Sequence, residues 1–80
     1  MKKINVPIDI VNEMIQHSIQ ENPNECCGLI KINIEKKQKV YRMTNVDKSP
    51  YRYRMDPKEL LDTLTEIESD GGRLYAIYHS

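Results

Sequence analysis

Residues 73–78 read RLYAIY and follow directly on Gly71-Gly72. After Arg73 the run is almost continuously apolar. A strand of this kind is normally covered on both faces. Of all the segments in the chain it is the most demanding, because it calls for layers above and below a sheet. It is also the last element of the sequence, so the cover it asks for is not supplied by anything after it. The reading that follows is that the folding unit continues past Ser80.

The preceding segments supply helices. Asp56 is a good N-cap, Pro57 takes the first helical position and Glu59 stands in capping-box position. Leu60, Leu61, Leu64 and Ile67 form the apolar face, and Gly71-Gly72 ends the helix. An earlier helix is predicted over residues 9–20, with Val11, Met14, Ile15 and Ile19 on its apolar face. Asn22-Pro23-Asn24 stops it, because Pro23 forces the residue before it out of the helical region. Residues 3–6 (KINV) read as a short strand. Residues 26–34 (CCGLIKINI) become a strand in which Ile30, Ile32 and Ile34 alternate with Lys31 and Asn33, the pattern of one buried face. Residues 39–46 form its hairpin partner across a polar turn. Residues 51–55 place Tyr51, Tyr53 and Met55 on one side and Arg52 and Arg54 on the other. The order strand, helix, two or three strands, helix, strand predicts an α/β fold, a mixed central sheet flanked by helices.

The chain's 80 residues allow one domain at most. A chain this short buries about 60–65% of the surface its unfolded form exposes, so its core is marginal. There is no Trp or Phe, and the five Tyr all follow Val40, so burial rests on Ile, Leu, Val and Met. An oligomer formed through the uncovered strand is one way to complete such a core. The 12 basic and 12 acidic residues balance, which argues against a nucleic-acid surface or a polybasic membrane anchor. No apolar run approaches the ~20 residues of a membrane span. The lysines at the N-terminus have no long apolar stretch behind them, so a signal peptide is not expected and the cytoplasm is the default compartment.

Few residues can carry chemistry. His17 lies off the predicted apolar face and reads as a plain surface residue. His79 directly follows the apolar strand, where strand ends collect active-site residues in α/β proteins; position alone leaves a packing role and a site role both open. Cys26 and Cys27 are adjacent. Neighbours on a strand point to opposite faces, so one ion does not easily take both, and zinc pairs are usually spaced. One thiol in the core and the other partly exposed is the simpler reading, with both reduced. Glu25 precedes them as what would ordinarily be a surface carboxylate. The Tyr/Arg alternation at residues 51–54 could stack a single strand of nucleic acid, but the balanced charge favours a solvated face.

Three segments bear a resemblance. Residues 23–30 (PNECCGLI) look like the P-x-E-x-C-G-L-L segment of the JAMM/MPN-domain zinc metalloproteases. Asn45-Val46 with residues 49–57 (SPYRYRMDP) resembles the N-x(3)-S-P-x-x-Y-x-M-D-P region of the prokaryotic members. Residues 76–80 (AIYHS) resemble the strand leading into their H-S-H-P. The pieces stand in the right order across the whole chain. The resemblance implies a cytidine-deaminase-like JAMM/MPN fold, of which residues 1–80 are the N-terminal part, cut after the strand that leads to the metal motif. In that family zinc is held by both histidines of H-x-H and a later aspartate, a glutamate near the N-terminus is the general base, and the bonds cut follow the C-termini of ubiquitin-like or sulfur-carrier proteins. Residue by residue, Glu25 matches the base and His79 the first zinc ligand. The second histidine, the oxyanion serine and the aspartate have no counterpart up to Ser80. The expectation is an enzyme fragment that does not hold catalytic Zn2+ by itself. The alternative is a non-catalytic dimerisation or scaffold module of the same family.

Overall fold

A computed structural model describes residues 5–80 of the protein. Its elements are α1 (Ile8–Glu21), β1 (Cys27–Ile32), β2 (Gln38–Met43), α2 (Pro57–Glu68) and β3 (Arg73–His79). The strands form one sheet in the order β2-β1-β3. Both pairings are antiparallel, so the sheet of the described residues is antiparallel and not mixed. Of the strand expected at residues 3–6, Lys3 and Ile4 lie outside the described residues, and Asn5 and Val6 are not in a strand.

A helix covers each face of the sheet. On one side Ile10, Ile30 and Val40 form a buried cluster, joined by Met14, Tyr75, Ala76 and Tyr78. On the other side Cys27, Leu29, Met43 and Ile67 do so, joined by Leu60, Leu64 and Tyr53. The alternation of a strand explains the division: Cys27 and Leu29 point to the α2 layer, Ile30 to the α1 layer. The result is an α/β unit with β1 at its centre.

β1 is therefore buried along its whole length, on both faces. The sequence pattern predicts only one buried face there, because Lys31 reads as a solvent position. Lys31 is 8% exposed, and its ammonium group donates to Asp70 Oδ2 at 2.7 Å. The long aliphatic stem spans the apolar layer while the charge finds a partner at its rim. Conversely β3, expected to be covered on both faces, is at the sheet edge and half-exposed, with Ile77 55% exposed.

The α2 cap forms as expected, with Asp56 Oδ2 accepting from the Glu59 N–H at 2.9 Å. Glu59 does not reach back to close the capping box. Its carboxylate instead accepts from the Thr44 N–H and hydroxyl, at 2.9 and 3.1 Å, and so ties the end of β2 to α2. Gly71 ends the turn after α2 at φ 84°, in the left-handed region. Residues 51–55 are not a strand. A single bridge, Asn45↔Met55, holds that segment against the end of the hairpin.

α1 is rotated relative to its predicted face. Ile10 and His17 are buried, while Ile8, Ile15 and Ile19 are exposed. The apolar residues lie on two stripes, and periodicity cannot say which stripe meets the sheet.

Candidate active site

Glu25 sits in the short connection between α1 and β1. Its N–H donates to the Ser49 carbonyl at 2.8 Å, and its own carbonyl accepts from Asn45 Nδ2 at 3.1 Å. The backbone is thus held on both sides. Two residues on, Cys27 pairs with His79 across the sheet. Cross-strand partners share a face, and an extended chain turns residues two apart to the same side. Glu25 and His79 therefore converge: His79 Nδ1 stands 3.2 Å from Glu25 Oε1. An ionised carboxylate only accepts, so Nδ1 carries the proton of this bond. The Glu25 side chain is 15% exposed and that of His79 is 53% exposed. Past the strand, the Ser80 N–H donates to the Cys26 carbonyl at 3.2 Å, and Ser80 Oγ accepts from the Cys26 N–H at 2.9 Å.

The second support of His79 is Tyr53. The two rings stack at 4.6 Å between centroids, with 24° between their planes. The sequence alone assigns Tyr53 no part in the site. The signal was its place in the matched Y-x-M-D-P stretch, but nothing in the sequence pairs it with a residue at the end of a distant strand.

Asn45 was likewise without a role. It is 6% exposed, and its side chain is fully engaged. Nδ2 donates to the carbonyls of Glu25 and Arg52, and Oδ1 accepts from the N–H groups of Asp47 and Arg54. One amide thereby joins the Glu25 connection to the segment carrying Tyr53.

His17 is the clearest correction. It is not a surface residue but 4% exposed, under the sheet. Its Nδ1 lies 2.7 Å from the hydroxyl of Tyr78. The Tyr78 ring in turn fills the space that a side chain on Gly28 would need. Burial, and then the nearby Arg42 guanidinium, lower the His17 pKa from its usual 6.5 against the opposing effect of Glu21 and Glu13. Burial also raises the Tyr78 phenol well above its ordinary value. Both cysteines are buried, at 2% and 0%, so neither is the partly exposed thiol expected. Cys27 faces the α2 layer, and Cys26 lines a cavity beneath α1.

Shallow cavities open beside the pair. One, of about 390 Å³, is lined by Glu25, Asn24, Pro50, Tyr51 and Ser80. Another, of about 370 Å³, runs from Val11 and Ile15 on α1 to His79 and Ser80. A larger one, of about 770 Å³, lies at the opposite end of the sheet around Ile32 and Arg73 and touches neither Glu25 nor His79. Among the described residues no group of three His, Cys, Asp or Glu side chains converges to hold a metal ion. One imidazole and one carboxylate are of the right donor type for zinc, but a catalytic site keeps three protein ligands.

The layers define an α/β unit, and the carboxylate–imidazole pair lies at the end of one of its edge strands. Residues 7–80 match the family described as prokaryotic homologs of the JAB domain, and the chain belongs to that family. It is 32% identical over 74 residues to the CysO-cysteine peptidase of Mycobacterium tuberculosis, covering 90% of this chain and 51% of that protein. It is 38% identical over 76 residues to a probable TtuB-protein conjugate cleaving protease of Thermus thermophilus, covering 94% of this chain and 51% of the relative. The chain thus spans about half the length of these relatives. No solved structure matches it.

Proposed function

We propose that residues 1–80 form the N-terminal part of a zinc-dependent JAB-type peptidase domain that acts in the cytoplasm on C-termini or conjugates of a ubiquitin-like or sulfur-carrier protein. The observation that carries this reading is the 3.2 Å approach of Glu25 and His79, 54 residues apart in sequence, in a member of this family. The names of the two relatives support the substrate class.

In this reading Glu25 is the general base and His79 a metal ligand. His79 would offer a ring nitrogen to the metal, and Glu25, in contact with that ring in this structure, would stand close enough to exchange a proton with a water held beside it. Bound zinc would supply a water of pKa near 7 and polarise the scissile carbonyl. Glu25 takes a proton from the attacking water and returns it to the leaving amine, so that the amide C–N bond breaks with the proton delivered to nitrogen. The low exposure of Glu25 keeps its carboxylate out of bulk water and aimed at the His79 side of the sheet. A catalytic zinc needs further protein ligands, and the described residues bring none beside His79 and Glu25.

Two measurements test the reading. Zinc analysis of the purified 80-residue chain should find no stoichiometric metal and no peptidase activity; stoichiometric zinc with activity would count against the reading that residues 1–80 hold only part of the site. In the full-length parent, Glu25→Gln should lower cleavage of a carrier-protein conjugate by about 10²–10⁴-fold with zinc retained, and His79→Ala should lose the zinc.

A second reading, a non-catalytic scaffold, draws on the exposed stripe Ile8, Ile15 and Ile19 of α1 and the open edge of β3. A free edge strand can pair with another copy. Gel filtration separates the two, since a strictly monomeric chain speaks against the scaffold.

A further inference from the structure

We propose that Tyr53 is a positioning residue for His79, acting as the platform that sets the plane of its imidazole. His79 is the last residue of an edge strand, and its side chain is 53% exposed. The contact to Glu25 fixes one ring atom, Nδ1, and leaves the ring free to swing about that contact. The stacked Tyr53 ring, 4.6 Å away and tilted by 24°, removes that freedom.

A platform orients its load only if it is itself held. Tyr53 is half-buried against the cluster of Cys27, Leu29, Met43 and Ile67. The residues on either side of it are bonded to one buried side chain: Arg52 O and Arg54 N both meet the Asn45 amide, at 3.0 and 3.1 Å. The Arg54 carbonyl also accepts from the Val46 N–H at 2.9 Å. The same Asn45 amide holds the Glu25 backbone. Base, platform and imidazole are thus referenced to a single point. The Tyr53 hydroxyl takes no part in the stack, so a phenyl ring serves equally.

The importance of this for catalysis rests on the reading of His79 as a ligand; the stack itself does not. The test is proton NMR of the 80-residue chain without zinc, so its outcome is independent of whether the parent is a zinc peptidase. In the unaltered chain, nuclear Overhauser contacts join the Tyr53 and His79 ring protons, and the His79 ring protons are displaced upfield of their unfolded positions by the ring current. Tyr53→Phe keeps the displacement. Tyr53→Leu loses it and lets the His79 signals average between rotamers, while the signals of His17, on the other face of the sheet, stay in place. Absence of the Overhauser contacts in the unaltered chain, which needs no variant to fold, overturns the proposal. So does a Tyr53→Leu chain whose His79 signals are unmoved.

Discussion

The ring of Tyr78 lies over Gly28, its cross-strand partner, in the space a side chain on that residue would occupy. From there its hydroxyl reaches His17 at 2.7 Å. Gly28→Ala should therefore push the ring off β1 and strain its bond to His17. The expected loss is about 1–3 kcal/mol, the usual cost of forcing extra volume into a packed layer. A urea midpoint unchanged from the parent would show that the layer has room to yield.

His17 gives the fold an acid-sensitive element. Its pKa is lowered in the folded state, chiefly by burial and then by Arg42. The unfolded chain therefore takes up the proton first. The contribution to stability is complete above pH 6.5 and declines as the pH falls through the lower folded-state value. In His17→Gln the decline just below pH 6.5 should flatten. Parallel stability curves for the two chains would exclude His17 as the group responsible.

Asn45→Ala removes the partners of four backbone groups at once. Each buried group left unpaired costs about 1–3 kcal/mol, less where water can enter. We expect a clear drop in melting temperature and loss of exchange protection at the Asp47 and Arg54 amides. Asn45→Asp should keep the acceptor for those two amides yet still lower the melting temperature, since a carboxylate cannot donate to the Glu25 and Arg52 carbonyls. Retained protection at both amides in Asn45→Ala would mean that other bonds hold the segment.

The thiols should be silent in the native chain. Burial pushes Cys27 up to about 11, and Cys26 is 2% exposed. The thiolate is the reactive form, and little of it exists at Cys27 near neutral pH. A colorimetric thiol reagent should find neither cysteine before denaturation and both after it. Rapid native labelling of one site would reveal local opening around β1.

Much of this was legible in the sequence, and the failures share a cause. The α2 cap at Asp56 and the stop at Gly71 are local, and both formed as read. The β1–β2 hairpin is nearly local and formed with somewhat shifted bounds. The α1 face was misread because Ile15 and Ile19 suit a buried stripe as well as Ile10 does, and only the sheet decides between them. Lys31 was misread because its partner, Asp70, lies beyond the next helix. Glu25 and His79 could be singled out through the family resemblance, but their contact, the Tyr53 stack and the Asn45 brace join residues that no short-range pattern links.

The pairing order of the sheet bears on when the site exists at all. The hairpin of β1 and β2 closes a short loop, but the Glu25–His79 contact spans 54 residues of sequence. Long loops pay their closure entropy before any contact rewards it, so β3 docks late on folding. Without β3 in place on β1 there is no Glu25–His79 pair.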